Sequence, residues 1–309
     1  MWKPRFTLDD IAAAVAEGHR PLADWQPLTE GENSQVFAAE DGDRQVVVRA
    51  CKRRDGFDVE ARVAAMLAGS AVRAPETVAI GPVGDAWWSV TTRLPGVRLC
   101  DLPPDRVADA AESVAEAMRR IHTADVTAST GFGGIDPATG NGRQSAWHDP
   151  VPGPGAWSAL SFEDRKLVDA LTDLYTTDAA ALPEQRALLH GDFSADNLIV
   201  DGDAVGVIDF ECARYGDPLW DIAYQLFWAG PWPVMAPQAR AAAAGLDDSA
   251  DTRARLRLHM TAAGLNGAAF YAHDDRVPEL QLMLRRLAPL LEDPPSLSGL
   301  DGYWIHPGR

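Results

Sequence analysis

A chain of 309 residues is long enough to bury a large core and favours two lobes over one. Its 46% hydrophobic and 24% charged residues are those of an ordinary soluble globular protein, which excludes a disordered or fibrous chain. Lys and Arg number 28 against 45 Asp and Glu, and the net charge of −17 repels nucleic-acid phosphates and favours cationic small molecules, or serves solubility alone.

The opening MWKPRFTLDD has no apolar signal-peptide segment. Leu8 to Gly18 begins on acidic residues, runs through Ile11, Ala12 and Val15 and stops at glycine, which predicts a short amphipathic helix on the outside of the first lobe. Strands are expected around Trp25 to Thr29, Gln35 to Ala39 and Gln45 to Ala50, the last two joined by the turn Glu40-Asp41-Gly42-Asp43. A helix, Asp58 to Gly69, precedes strands near Thr77 to Ile80 and Trp87 to Thr92, so that antiparallel strands and one helix complete a small lobe. Arg93-Leu94-Pro95-Gly96-Val97 is a turn-rich connector.

Beyond Asp105 the pattern turns helical, with Val107, Ala111, Val114, Met118 and Ile121 on one face and His122 as a helix-end cap. Ala128 to Val151 is rich in Gly, Ser, Thr, Asn and Pro, and is expected to be a long loop. Leu160 to Tyr175 resumes helix. Asp217 before Pro218 fits an N-cap for the helix Leu219 to Trp228. Pro237 to Ala244, Thr252 to Tyr271 and Pro278 to Leu291 read as a C-terminal helical bundle. The most apolar stretch, Ile222 to Ala236, is too short to span a bilayer and is broken by Gln225, Gly230, Pro231 and Pro233. Cys51, Cys100 and Cys212 show no CxxC spacing, which argues against a zinc site and for a reducing, cytoplasmic compartment.

The chemistry concentrates in Leu188 to Glu211, LLHGDFSADNLIVDGDAVGVIDFE. Two apolar runs, Leu198 to Val200 and Val205 to Ile208, flank Asp201-Gly202-Asp203 and read as a hairpin. His190, Asp192 and Asn197 lie in the loop entering it, and Asp209 and Glu211 at its exit. Because a hairpin returns the chain on itself, Asp192, Asn197 and Asp209 are expected to converge. Two carboxylates and an amide suit Mg2+, which takes oxygen ligands, keeps waters and shares phosphate oxygens, and one carboxylate remains to act as a base. The same residue types also build ordinary turns.

The spacing HGDxxxxN followed by IDFE resembles the catalytic and metal-binding loops of the aminoglycoside phosphotransferase and choline kinase family, relatives of the protein kinases. That resemblance implies an α+β, two-lobed, protein-kinase-like fold. A small antiparallel β-sheet N-lobe would span residues 1–93, and a larger, mainly helical C-lobe residues 94–309. It implies Asp192 as the base, His190 as a brace of the catalytic loop, Asn197 and Asp209 as Mg2+ ligands, and ATP or GTP as phosphoryl donor. Gly31 and Ser34, in the connection Glu30 to Ser34, would lie over the nucleotide phosphates. Arg49 stands where the family places its phosphate-binding lysine, with Lys52 as the alternative and Glu60 as the pairing carboxylate. The hinge would be Thr91 to Leu94, with Thr92 and Leu94 beside the nucleotide. Asp221, in the run GDPxxDxA, would buttress the catalytic loop.

A narrower likeness to hygromycin-type aminoglycoside phosphotransferases rests on LTEGENSQVF, VVVRACKRRDGF, LPGVRLCDLP and ADVTASTGFGG, and covers about Leu28 to Trp228. It implies phosphorylation of a hydroxyl on an aminoglycoside or aminocyclitol, conferring resistance, by a monomer without nucleic-acid or membrane partners. For a cationic acceptor, Asp149, Glu163, Asp164, Asp247, Asp248, Asp251, Asp274, Asp275 and Glu279 are candidate contacts, and Trp147, Trp220, Trp228 and Trp232 are candidate stacking faces. Rival acceptors are a nucleoside antibiotic, another natural product or a choline- or homoserine-like metabolite. From other classes, His190, Asp192, Asp209 and Glu211 could form a metal-dependent phosphohydrolase site, or the chain could be an inactive binding module.

Overall fold

The computed structural model describes residues 3–31, 33–148, 151–158, 160–274 and 276–305. Thr7 starts the first helix, α1 (Leu8–Gly18), with a reciprocal capping box, its hydroxyl taking the Asp10 amide while Asp10 takes the Thr7 amide. Ile11 and Val15 are thereby buried against a five-stranded antiparallel sheet. Its strands are β1 (Ala23–Pro27), β2 (Ser34–Asp41), β3 (Arg44–Cys51), β4 (Thr77–Val83) and β5 (Ala86–Thr92), in the order β1-β2-β3-β5-β4. Along β3, Val46, Val48 and Ala50 point into this small core, so the period of two turns Arg49 to the opposite face.

Helix α2 (Asp55–Leu67) crosses that opposite face, but Val59, Val63 and Leu67 join the core of the larger lobe rather than the sheet's own. Glu60 therefore sits where the two cores meet. The chain then passes through β6 (Val97–Arg98) and α3 (Pro104–His122), whose first turn carries proline and whose buried stripe includes Val107, Val114, Met118 and Ile121. The stretch expected as an unbroken loop contains two short strands, β7 (Phe132–Ile135) and β8 (Gly142–Gln144). Their pairing is tertiary: β7 is completed by a strand some eighty residues further on, which a local pattern of Gly, Thr and Asn does not announce.

Next come α4 (Phe162–Ala181), β9 (Ala187–Leu189), β10 (Leu198–Asp201), β11 (Ala204–Val207) and β12 (Arg214–Gly216). The hairpin is as expected, with Leu198 opposite Val207 and Asp201 opposite Ala204, and β6 adds a third strand to it. A separate sheet has the order β8-β7-β12-β9. Four helices finish the larger lobe: α5 (Leu219–Ala229), α6 (Ala236–Ala243), α7 (Ala250–His273) and α8 (Val277–Leu287). The architecture is thus α+β, an antiparallel sheet lobe followed by a mainly helical one. No helix among the described residues is long and apolar enough to cross a membrane.

Pro218 rather than Asp217 occupies the N-cap of α5, and Asp217, fully enclosed one residue earlier, accepts from the Leu219 amide at 3.0 Å. Its carboxylate also takes both Arg255 nitrogens, at 2.7 and 2.5 Å, and His259 Nε2 at 3.0 Å, all from α7. Burial alone would raise the Asp217 carboxyl, but these donors hold it far below the usual carboxylate range. A folded-state pKa below the unfolded one contributes stability at neutral pH that is lost as pH falls below the unfolded value toward the folded one. Asp217→Ala, which takes the buried carboxylate from His259 and leaves Arg255 with Asp251 alone, is expected to cost about 3 kcal/mol in urea unfolding at pH 7. The gap to the native protein should narrow as the pH falls into the acid range; a constant gap would remove this carboxylate as its source.

Candidate active site

Helix α5 builds the catalytic loop from below. Asp221, one turn into that helix and fully buried, accepts from the backbone amides of His190 at 3.0 Å and Gly191 at 2.9 Å. His122 Nε2 donates to the same carboxylate at 2.9 Å, so His122 ties α3 to the loop instead of capping its own helix. Burial opposes the charge on Asp221, but His122 and these amides more than offset it and hold its carboxyl low.

His190 is enclosed between Phe193 and Phe210. Its Nδ1 accepts from the Asp192 amide at 3.2 Å, which fixes the proton on Nε2, and Nε2 donates to the Ile208 carbonyl at 2.9 Å. Both ring nitrogens are consumed in holding the loop to the end of the hairpin. Gly191 adopts φ +83°, and a β-carbon there would lie 2.2 Å from the Cys212 carbonyl oxygen. Only glycine lets the backbone turn at that point.

Asp192 projects from this brace into a cleft of about 460 Å³ between the lobes. Asn197 Nδ2 donates to the Asp192 carbonyl at 3.0 Å and to its Oδ2 at 3.3 Å. That spends the amide nitrogen on the loop and leaves Oδ1 as the atom able to take a cation. Ile208 donates its amide to the Asn197 carbonyl at 2.9 Å, which brings Asp209 to the same edge. Asp209 is left-handed, φ 64°, a conformation that Asp tolerates better than most residues and that aims its carboxylate into the cleft.

Arg49 Nη1 reaches across from β3 to Asp209 Oδ1 at 2.9 Å, while Nη2 pairs with Glu60 on α2. Burial raises the Glu60 carboxyl, with Arg49 opposing and Asp209 adding to the shift. Lys52 instead pairs with Asp85 on the exposed side of the sheet, so of the two basic candidates Arg49 is the one that faces the cleft.

Of the residues singled out in the sequence, Gly31, Ser34, Arg49, Asp192, Asn197 and Asp209 line one cleft. Glu60 and His190 stand behind it. Thr92 and Leu94 do not line it. The Thr92 amide donates to Glu76 and the Arg93 amide to Gln45, and the Leu94 side chain packs beside Gly206. Glu32 is outside the described residues.

Glu163, Asp164, Asp247, Asp248, Asp251, Asp274 and Glu279 do not line the cleft, and Asp149 and Asp275 lie outside the described residues. Asp247 and Asp248 instead bind Thr252 and Arg253 around the start of α7, and Glu279 pairs with Arg276. The cleft's own carboxylates are Asp192, Asp196, Asp209 and Glu211. Burial raises the Glu211 carboxyl, and neighbouring Asp209 adds to this. Trp147 and Trp220 are core, whereas Trp228 and Trp232 form a wall of the cleft with Phe270 and Tyr271. Tyr224 also lines it and escaped notice in the sequence, where it reads as one more apolar position of α5.

The donor set fits a hard divalent cation. Asn197 and Asp209 offer oxygen only, and among the described residues no three His, Cys, Asp or Glu side chains gather as a metal cage. Mg2+ bound through few protein ligands and completed by phosphate and water matches such a site. A histidine-rich hydrolase centre does not, since both nitrogens of His190 are engaged.

A model of the phosphotransferase enzyme family, APH, matches residues 24–259. The chain is 31% identical over 276 residues to hygromycin-B 4-O-kinase of Escherichia coli, covering 86% of this chain and 80% of that protein. It superimposes with a TM-score of 0.81 and 29% identity on a thermostable mutant of aminoglycoside phosphotransferase APH(4)-Ia in ternary complex with AMP-PNP and hygromycin B, covering 90% of this chain and 96% of that one. Spectinomycin phosphotransferase, APH(9)-Ia, shares the fold at a TM-score of 0.62 and 10% identity, over 93% of this chain and 98% of that one.

Gly191→Ala should pull the loop off Asp221 because the new methyl group meets backbone rather than a yielding side chain. The expected result is a loss of about 1–3 kcal/mol in the free energy of urea unfolding, the cost of a strained left-handed residue, together with loss of turnover. Native stability and turnover in that variant would show that the loop tolerates another path.

Proposed function

This chain belongs to the phosphotransferase enzyme family, and we propose that it transfers the terminal phosphoryl group of ATP or GTP to a hydroxyl of an aminocyclitol antibiotic of the hygromycin type. One observation carries the reading. The carboxylate of Asp192 opens onto the same cleft as Asp209 and Arg49, so a base for the acceptor and two groups suited to a phosphate and its cation face one another.

In the step this supports, the acceptor oxygen bonds to the terminal phosphorus while its proton passes to Asp192. The bond between that phosphorus and the bridging oxygen breaks, and its electron pair leaves with the nucleoside diphosphate. Asn197 Oδ1 and Asp209 would hold Mg2+, which supplies charge neutralisation on the phosphate oxygens. Arg49, kept charged by Glu60 and Asp209, offers a planar fork to phosphate oxygens in place of a lysine point charge. Gly31 and Ser34 line the sheet side of the cleft, where a nucleotide's phosphates would pass beneath them. The lobe boundary near residue 93 and a hinge at Thr91 to Leu94 belong to the same reading.

The rings of Trp228, Trp232, Phe270 and Tyr271 line the same cleft as the carboxylates of Asp196 and Glu211. Apolar ring faces and carboxylates in one cleft suit a sugar or cyclitol that bears amines. Burial raises the Asp192 carboxyl, with the Tyr224 hydroxyl opposing, which places the base in surroundings able to accept a proton.

Two experiments test the proposal. Incubation with ATP or GTP, Mg2+ and a panel of aminoglycosides, nucleoside antibiotics and amino-alcohols should give a mass gain of about 80 Da, one phosphoryl for one proton, first on the aminocyclitols. A gain confined to a neutral nucleoside would overturn the acceptor class. Asp192→Asn should lower the single-turnover rate by roughly 10²- to 10⁴-fold with nucleotide affinity kept, the usual cost of a removed general base. His190→Asn, which retains hydrogen bonding, should lose less. The reverse ranking would make His190 the catalytic group.

A further inference from the structure

Helix α5 touches the catalytic loop at more than its backbone. Asp221 holds the amides of His190 and Gly191, and Tyr224, three residues later on the same helical face, donates its hydroxyl to Asp192 Oδ1 at 2.6 Å. The Asp192 carboxylate is thus gripped by two groups on separate elements: Tyr224 from the helix at Oδ1, and Asn197 from the loop, more loosely, at Oδ2 at 3.3 Å. A carboxylate held at one oxygen can still pivot about that contact; one held at both oxygens by groups on separate elements is fixed about its last torsion. The phenol ring lies beside Trp228 in the cleft wall, with ring centres 6.1 Å apart.

We propose that Tyr224 is the positioning residue of the base, locking Oδ1 of Asp192 so that Oδ2 is the oxygen presented to the acceptor hydroxyl. This rests on the phosphotransferase reading of the cleft. Burial and the Asp192 charge both raise the Tyr224 phenol well above its ordinary range, so it stays protonated and remains a donor. The contact lies on a rigid helix already fastened to the loop by Asp221, the arrangement that keeps a catalytic group within a fraction of an ångström of its working position. Because phosphoryl transfer depends mainly on positioning and electrostatics, a loose base costs rate more than binding.

Tyr224→Phe keeps the ring and removes the hydroxyl. Its single-turnover rate is expected to fall about 10-fold, the worth of one hydrogen bond to a charged group, while the acceptor KM and nucleotide affinity stay within about two-fold. An unchanged rate overturns the proposal. So does a faster rate with a lower acceptor KM, which would make the hydroxyl a placeholder for the acceptor, and so does a raised KM at constant rate, which would make Tyr224 an acceptor contact. A second measurement needs neither turnover nor the Phe variant: with 3-fluorotyrosine at position 224, the fluorine resonance should move when Asp192→Asn is introduced. A resonance indifferent to that change would show that the contact does not exist in solution. If the native enzyme phosphorylates no acceptor, the functional reading fails while the fluorine measurement still judges the contact.

Discussion

One buried cation ties the halves of this molecule together. Arg49 leaves β3 on the face turned away from the small core and binds Glu60 on α2 and Asp209 at the hairpin exit, residues that belong to different stretches of chain. Its side chain is 13% exposed, so little water competes for these contacts. Removing Glu60 would leave Arg49 with Asp209 alone, and removing Asp209 would leave it with Glu60 alone, so either loss unties two of the three segments while the cation keeps one partner. The same arrangement keeps Asp209, 35% exposed at its side chain, aimed into the cleft, where a cation would compete with Arg49 for its oxygens and a phosphate would compete with Asp209 for Arg49. A structural tie and a ligand site therefore share one carboxylate.

Beneath it, α5 acts as the template of the catalytic loop. Asp217 anchors its start to α7, and Asp221 holds two loop amides and His122. Each buried carboxylate is matched by several donors, which is the condition for keeping charge in a core at tolerable cost. The loop is consequently positioned by side chains far from it in sequence, and its own residues Asp192 and Asn197, with Asp209 at the hairpin exit, are left to line the cleft. The net charge of −17 is distributed unevenly over this scheme. Most of the acids that looked like acceptor contacts serve as helix caps or partners of nearby arginines, while four carboxylates gather in the cleft itself.

Much of this was legible in the chain, because it is local. The period of two in Val46, Val48 and Ala50, the helical stripe of α3 and the Asp-Gly-Asp hairpin turn each depend on neighbours within a few residues. HGDxxxxN and IDFE lie within one hairpin of each other, so the convergence of Asp192, Asn197 and Asp209 followed from geometry that short turns dictate. The choice of Arg49 over Lys52 is not local. The two are three residues apart and chemically alike, and the alternation of β3 together with the position of α2 sends one to the cleft and the other to Asp85.

What the sequence by itself determined was the order of the larger elements, the loop that carries HGDxxxxN and the class of chemistry, since these rest on spacing and residue type. Only the tertiary structure decided which side chains surround that loop. His122, Tyr224 and the pair β7 and β12 gain their roles from partners roughly 30 to 100 residues away, and no local pattern encodes so distant a neighbour. The acidic residues divided the same way: a carboxylate beside a helix start satisfies the helix, and one at a hairpin exit faces the cleft. Packing makes that division, because burial and the supply of donors, not the residue type, set what a carboxylate does.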